Sequence, residues 1–187
     1  MSHPVEGMLL PVTHNLGAFE VRRALPARGL TMVGPFCFVD QFGPGMLDIG
    51  LGMDVRPHPH IGLSTVTYLF DGAIDHRDSL GSFATIRPGE VNLMTAGKGI
   101  VHSERSPAEE RAKGASIYGM QTWLALPDGK EEIDPAFEQI KAGPLDALII
   151  TGANITQAQL TAEPFWHGLE QILLWADHSR VSTVCSC

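Results

Sequence analysis

Glycine and proline cut this chain into short pieces, and that punctuation limits it to a fold of many brief strands. The 187 residues include 20 glycines and 13 prolines, set between runs rich in β-branched and aromatic side chains. Phe19-Glu20-Val21 alternates into a strand, and Val33 to Asp40 is strand-like after its turn. Leu63 to Phe70 is the clearest strand, with no breaker inside it. Asp71-Gly72 predicts a tight hairpin into Ala73-Ile74-Asp75-His76. Ser82 to Ile86 runs through the turn Arg87-Pro88-Gly89-Glu90 into Val91 to Met94. Ile100 to Glu104 and Ile117 to Leu126 close the series. Turn signals at near-regular intervals predict an all-β sandwich or barrel.

One short surface helix is signalled, with Ser106 as N-cap, Pro107 in the first turn, Glu109 and Glu110 near the positive end and Gly114 as the stop. After about residue 140 the character changes. Leu145 to Gly152 reads as a strand, Thr156 to Glu163 as a weak helix, and Leu169 to Trp175 as an apolar stretch of either type. Ser179 to Cys187 reads as a loose tail.

Two pairs of metal-ligating residues sit in this β context: His58-Pro59-His60, and His102-Ser103-Glu104 some forty residues later. Side chains two apart on a strand point to the same face. Two such strands side by side would aim three imidazoles and a carboxylate at one point. That donor set suits a borderline divalent metal such as iron, manganese, nickel, copper or zinc. Either pair alone would be ordinary polar residues on a solvent face. Together they carry more weight, because Pro57 and Pro59 stiffen the approach of His58 while giving up ladder hydrogen bonds that a plain strand would keep.

Charge and cysteine usage exclude other classes. Thirteen basic against 21 acidic residues give a net charge of −8, which argues against direct nucleic-acid binding and against an anionic membrane surface. Three cysteines make no disulfide framework. Cys37, within Phe36-Cys37-Phe38, reads as a buried small hydrophobe. No signal peptide and no bilayer-spanning run is visible, so the expectation is a soluble cytoplasmic protein.

Longer strings carry a family resemblance. Gly52-x5-His58-x-His60, then Pro88-Gly89, then His102, is similar to the two boxes of the cupin superfamily. Asp40-Gln41-Phe42-Gly43-Pro44, Asp54-Val55-Arg56-Pro57-His58-Pro59-His60, His76-Arg77-Asp78-Ser79-Leu80-Gly81 and Met94 through Glu104 resemble pirin, over about residues 16 to 139. The resemblance implies a double-stranded β-helix that holds a non-haem Fe(II) through His58, His60, His102 and Glu104. It also implies one of two roles. The first is a quercetinase, which opens a flavonol-like ring with dioxygen. The second is a redox-responsive regulator that binds a protein partner of transcription without turnover.

Two departures from the family stand out. Gly62-Leu63-Ser64-Thr65 lacks the glutamate that pirins usually carry there, which alters the surroundings of the ligands but not the ligand set. Pirins also typically have a second barrel. The organisation expected here is a cupin domain over 1–140 and a short segment, 141–187, too small for another cupin. That segment is either a natural short form or a gene read out of frame. The surface that a second cupin would cover then favours self-association.

At such a site, four protein ligands leave open positions for an enolisable small-molecule substrate. Glu104 could serve as both ligand and catalytic base. Phe36, Phe38, Phe42, Met53, Tyr68 and Met94 are candidates either to line the barrel mouth or simply to fill the barrel. His76-Arg77-Asp78-Ser79 reads as a polar loop at the rim.

Overall fold

Every strand pairing among the described residues is antiparallel. The structure is a computed structural model and describes residues 8–17, 19–141, 148–149, 173–177 and 180–184. The strands are β1 (Met8–Leu9), β2 (Val12–Asn15), β3 (Glu20–Leu25), β4 (Phe36–Met46), β5 (Asp54–His60), β6 (Leu63–Gly72), β7 (Ile74–Asp78), β8 (Phe83–Ile86), β9 (Glu90–Thr95) and β10 (Ile100–Arg105). The helix α1 (Ala108–Lys113) leads to β11 (Ser116–Ala125), β12 (Ala136–Lys141), β13 (Leu148–Ile149), β14 (Leu173–Asp177) and β15 (Arg180–Val184).

A seven-stranded sheet in the order β12-β9-β6-β11-β4-β3-β2 faces a four-stranded sheet in the order β5-β10-β7-β8. The two form the expected double-stranded β-helix. Val21, Phe42, Met53, Leu69, Ile74, Ile86 and Ile117 pack between them. A second cluster, with Val39, Val66, Tyr68, Val91 and Met120, lies on the other face of the large sheet. With both faces of the large sheet covered, the middles of β4 and β6 are buried almost without a break.

Asp71-Gly72 does not make a hairpin. β6 pairs with β9 and β11, whereas β7 pairs with β8 and β10, so the chain changes sheets at this point. Gly72 permits the crossing. Its φ is +88°, and a Cβ there would stand 2.1 Å from the carbonyl oxygen of Ser116. β4 also runs further than its sequence signals, through Gly43, whose φ of +72° relieves an irregularity opposite Ile117.

Helix α1 starts one residue later than predicted. Pro107 is the N-cap and supplies no capping side chain. The Ser106 hydroxyl instead accepts the Met53 N–H at 3.0 Å, while Arg111 donates to the carbonyls of Ser106 and Met53 and to Asp54. Ser106 thus ties the helix to the start of β5. Cys37 is half-buried rather than buried, with its sulfur near the Trp123 carbonyl.

In the last third, β13, β14, β15 and β1 form a further four-stranded sheet. The expected loose tail therefore contains a strand, Arg180–Val184, paired with both β14 and β1. The predicted helix over 156–163 lies outside the described residues.

Candidate metal centre

Strand β10 runs between β5 and β7, and all three turn polar side chains toward one interior point. His102 stands opposite His58 on one side and opposite Asp78 on the other. Glu104 stands opposite His76 and, past a bulge, opposite Val55. The bulge falls where Pro57 has no N–H to give the ladder.

The imidazoles of His58, His60 and His102 converge. The three rings offer ligand nitrogens that all lie within 4.8 Å of one another. The Nε2 of His102 is 3.1 Å from the Nε2 of His60 and 3.1 Å from that of His58. His60 and His102 are buried and His58 is partly exposed. Nδ1 of His58 donates to the Arg56 carbonyl at 2.8 Å, which in a singly protonated ring leaves Nε2 bare and facing inward. Burial, followed by the neighbouring His58, lowers the pKa of His60 to about 4. Burial and the neighbouring His58, His60 and His76 lower that of His102 to about 3. Both rings are therefore neutral, as ligands must be.

Glu104 is not a member of the three-nitrogen group. It is buried two residues along β10, where the Gln121 side-chain amide donates to its Oε1 at 2.8 Å. Burial raises its pKa, opposed by Gln121, His76, His58 and Thr67. Among the described residues no lysine or arginine makes an ion pair with it. A buried carboxyl without a cationic side chain, two residues along the strand from a cluster of imidazoles, is a poor arrangement on its own, and a divalent cation would complete it. The spacing fits as well. Two nitrogens about 2.1 Å from one ion and at about a right angle lie about 3 Å apart.

The opposite wall comes from the large sheet. Trp123 meets His60 edge-on at 4.9 Å and stacks flat on Phe38 at 4.0 Å. Arg23 lies 4.4 Å above Phe38 and is clamped to Asp40 by two 2.8 Å hydrogen bonds. A cavity of about 60 Å³ beside Glu104 and Gln121 is lined by Phe42 and Met53, among others. Of the remaining candidate liners, Phe36 and Tyr68 pack in the core cluster on the far face of the large sheet, and Met94 packs against Ala96 and Ile100.

The reading of His76 to Ser79 as a rim loop needs correction. His76 and Asp78 belong to β7, and their side chains are 4% and 0% exposed. Nε2 of His76 is 3.0 Å from Asp78, and its Nδ1 is 3.4 Å from Nδ1 of His102. Burial alone would raise the pKa of Asp78, but His76 and the Ser82 and Leu80 N–H groups hold it below the usual range. The signal was present in the sequence: His76-x-Asp78 repeats the spacing of the two ligand pairs.

Comparison with known proteins places these features in a family. The Pirin family model matches residues 18–124, and the Homoserine O-succinyltransferase model matches residues 131–187. A pirin-like protein of Caulobacter vibrioides is 50% identical over 153 residues, 81% of this chain and 52% of that protein. Pirin of Homo sapiens is 33% identical over 129 residues, 66% of this chain and 39% of that protein. The crystal structure of a quercetin 2,3-dioxygenase from Acinetobacter baumannii superposes with a TM-score of 0.67 at 43% identity, covering 72% of this chain and 44% of that one. The chain thus spans about half the length, or less, of these relatives.

Proposed function

The chain belongs to the pirin family, and on that footing we propose that it is a metal-dependent dioxygenase acting on a flavonol-like or other enolisable small molecule. The observation that carries this reading is the meeting of three Nε2 atoms close to a buried carboxyl that, among the described residues, no lysine or arginine neutralises. His58, His60, His102 and Glu104 would hold the metal, Fe(II) first among the divalent ions that suit such donors. When bound, the metal supplies Lewis acidity and a template for an enolate donor.

The rest is done by the chain. His58 is the one partly exposed histidine of the three, so a bulky substrate enters on its side. The flat Phe38–Trp123 stack gives a planar aromatic ring a surface beside His60. Glu104 takes the substrate hydroxyl proton, and Gln121 holds the carboxyl in place by donating to Oε1. The cavity of about 60 Å³ beside Glu104 has room for a few water-sized molecules but not for a flavonol.

A turnover assay tests the proposal. Quercetin and oxygen are supplied with and without added ferrous iron. Metal-dependent consumption that is lost in His58→Ala supports the dioxygenase. Folded, metal-loaded protein that leaves quercetin and other enolisable phenols untouched contradicts it.

A further inference from the structure

A third polar pair faces the centre from the far side of β10, and its hydrogen bonds run in a fixed direction. Asp78 Oδ1 accepts the N–H groups of Leu80 and Ser82 at 2.9 and 3.0 Å. Its Oδ2 lies 3.0 Å from Nε2 of His76. A carboxylate only accepts, so this nitrogen carries the proton. With one proton on the ring, His76 has a bare Nδ1. That atom lies 3.4 Å from Nδ1 of His102 and can only accept from it. His102 is left with its proton on Nδ1 and a bare Nε2, the atom 3.1 Å from its two neighbours. Phe137 stacks on His76 at 4.1 Å and 11°, which keeps the ring from turning.

We propose that Asp78 and His76 are positioning residues that fix the tautomer and orientation of His102, so that its Nε2 is presented to a divalent metal. The inference rests on the metal-centre reading above and adds residues on a third strand to it. Outer partners of ligating histidines raise ligand basicity and set ring orientation, and their loss weakens metal binding about 10- to 100-fold.

Asp78→Asn tests the direction of the chain while keeping its shape. The oxygen of the introduced amide stays on the two backbone N–H groups, and its NH2 group replaces Oδ2. That group donates to Nε2 of His76, moving the His76 proton to Nδ1. Two donors would then face each other, and the His102 proton moves to Nε2, where it blocks the metal. His76→Gln is the rescue, because an amide can accept from His102 and donate to Asp78.

The measurements are Ni(II) affinity and the His102 tautomer, the latter read by nitrogen-15 NMR on metal-free protein. Asp78→Asn is expected to bind Ni(II) about 10- to 100-fold more weakly, with an unchanged circular dichroism spectrum and the His102 proton shifted from Nδ1 to Nε2. His76→Gln retains most of the affinity, whereas His76→Phe loses it. Asp78→Asn binding like the parent, or a parent His102 that carries its proton on Nε2, overturns the proposal. Failure of the parent itself to bind Ni(II), or binding that survives His58→Ala, instead overturns the metal-centre reading beneath it.

Discussion

His58 and His102 stand directly opposite each other across the β5–β10 ladder, with their Nε2 atoms 3.1 Å apart. The His58 Nδ1 donates to the Arg56 carbonyl, and Nδ1 of His102 faces His76, so singly protonated rings with these partners turn both Nε2 lone pairs toward one point, where a cation would sit.

Binding of a divalent metal should stabilise the fold. At a ligand concentration 100 times the dissociation constant the gain is about 2.7 kcal/mol. For a chain of this size that raises the thermal midpoint by roughly 5–10 °C. A thermal scan with and without Ni(II) reads it. His58→Ala should abolish the shift, and an equal shift in that variant would count against the site.

Metal-free protein should lose stability as acid is added from about pH 6.5. His60 and His102 have folded pKa values of about 4 and about 3, below the ordinary 6.5. Between those values and 6.5 the unfolded chain binds protons that the folded chain refuses. Stability therefore falls with falling pH, by up to about 1.4 kcal/mol per pH unit for each group. Glu104 acts oppositely: its pKa is raised above 4.5, so above pH 4.5 the folded chain keeps a proton that the unfolded chain releases. Urea midpoints measured in chelator between pH 7 and pH 4.5 should fall, and Glu104→Gln should steepen the slope. A flat profile would be inconsistent with imidazoles buried in neutral form.

Trp123 should report metal binding optically. Its ring is 4.9 Å from that of His60, close enough for an open-shell ion such as Cu(II) or Ni(II) to quench its emission. The metal-dependent quench should largely vanish in Trp123→Phe, although Trp166 and Trp175 remain. A quench that persists unchanged would place the ion elsewhere.

Gly72 and Gly81 share a φ of +88°, but only Gly72 is crowded: a Cβ there would stand 2.1 Å from Ser116 O, whereas one at Gly81 meets nothing within 4 Å. Gly81→Ala should cost about 1–2 kcal/mol for the left-handed backbone alone. Gly72→Ala should cost clearly more, because the crossing between sheets must also move. Equal denaturation midpoints for the two variants would show that the close approach is unimportant.

The same contrast explains what the sequence could reveal. Strand content and the two ligand pairs were legible because they depend on local alternation: residues two apart share a face wherever the strand goes. The sheet change at Gly72 was not. Asp71-Gly72 carries the same local signal as a hairpin turn, and what redirects β7 is the distant backbone of β11. Ser106 has the chemistry of a cap but is taken by Met53, a contact 53 residues away. His76 and Asp78 were legible in principle. Four polar residues in a row look like a rim loop, but strand alternation buries His76 and the Asp78 side chain and leaves Arg77 and Ser79 to solvent.

The most direct test is elemental analysis of freshly purified protein, with His102→Ala prepared in parallel. About one divalent ion per chain is expected in the parent, its identity following availability as well as donor preference, and almost none in the variant. A folded parent that carries no metal and takes none up, or a variant that retains as much, would contradict the account.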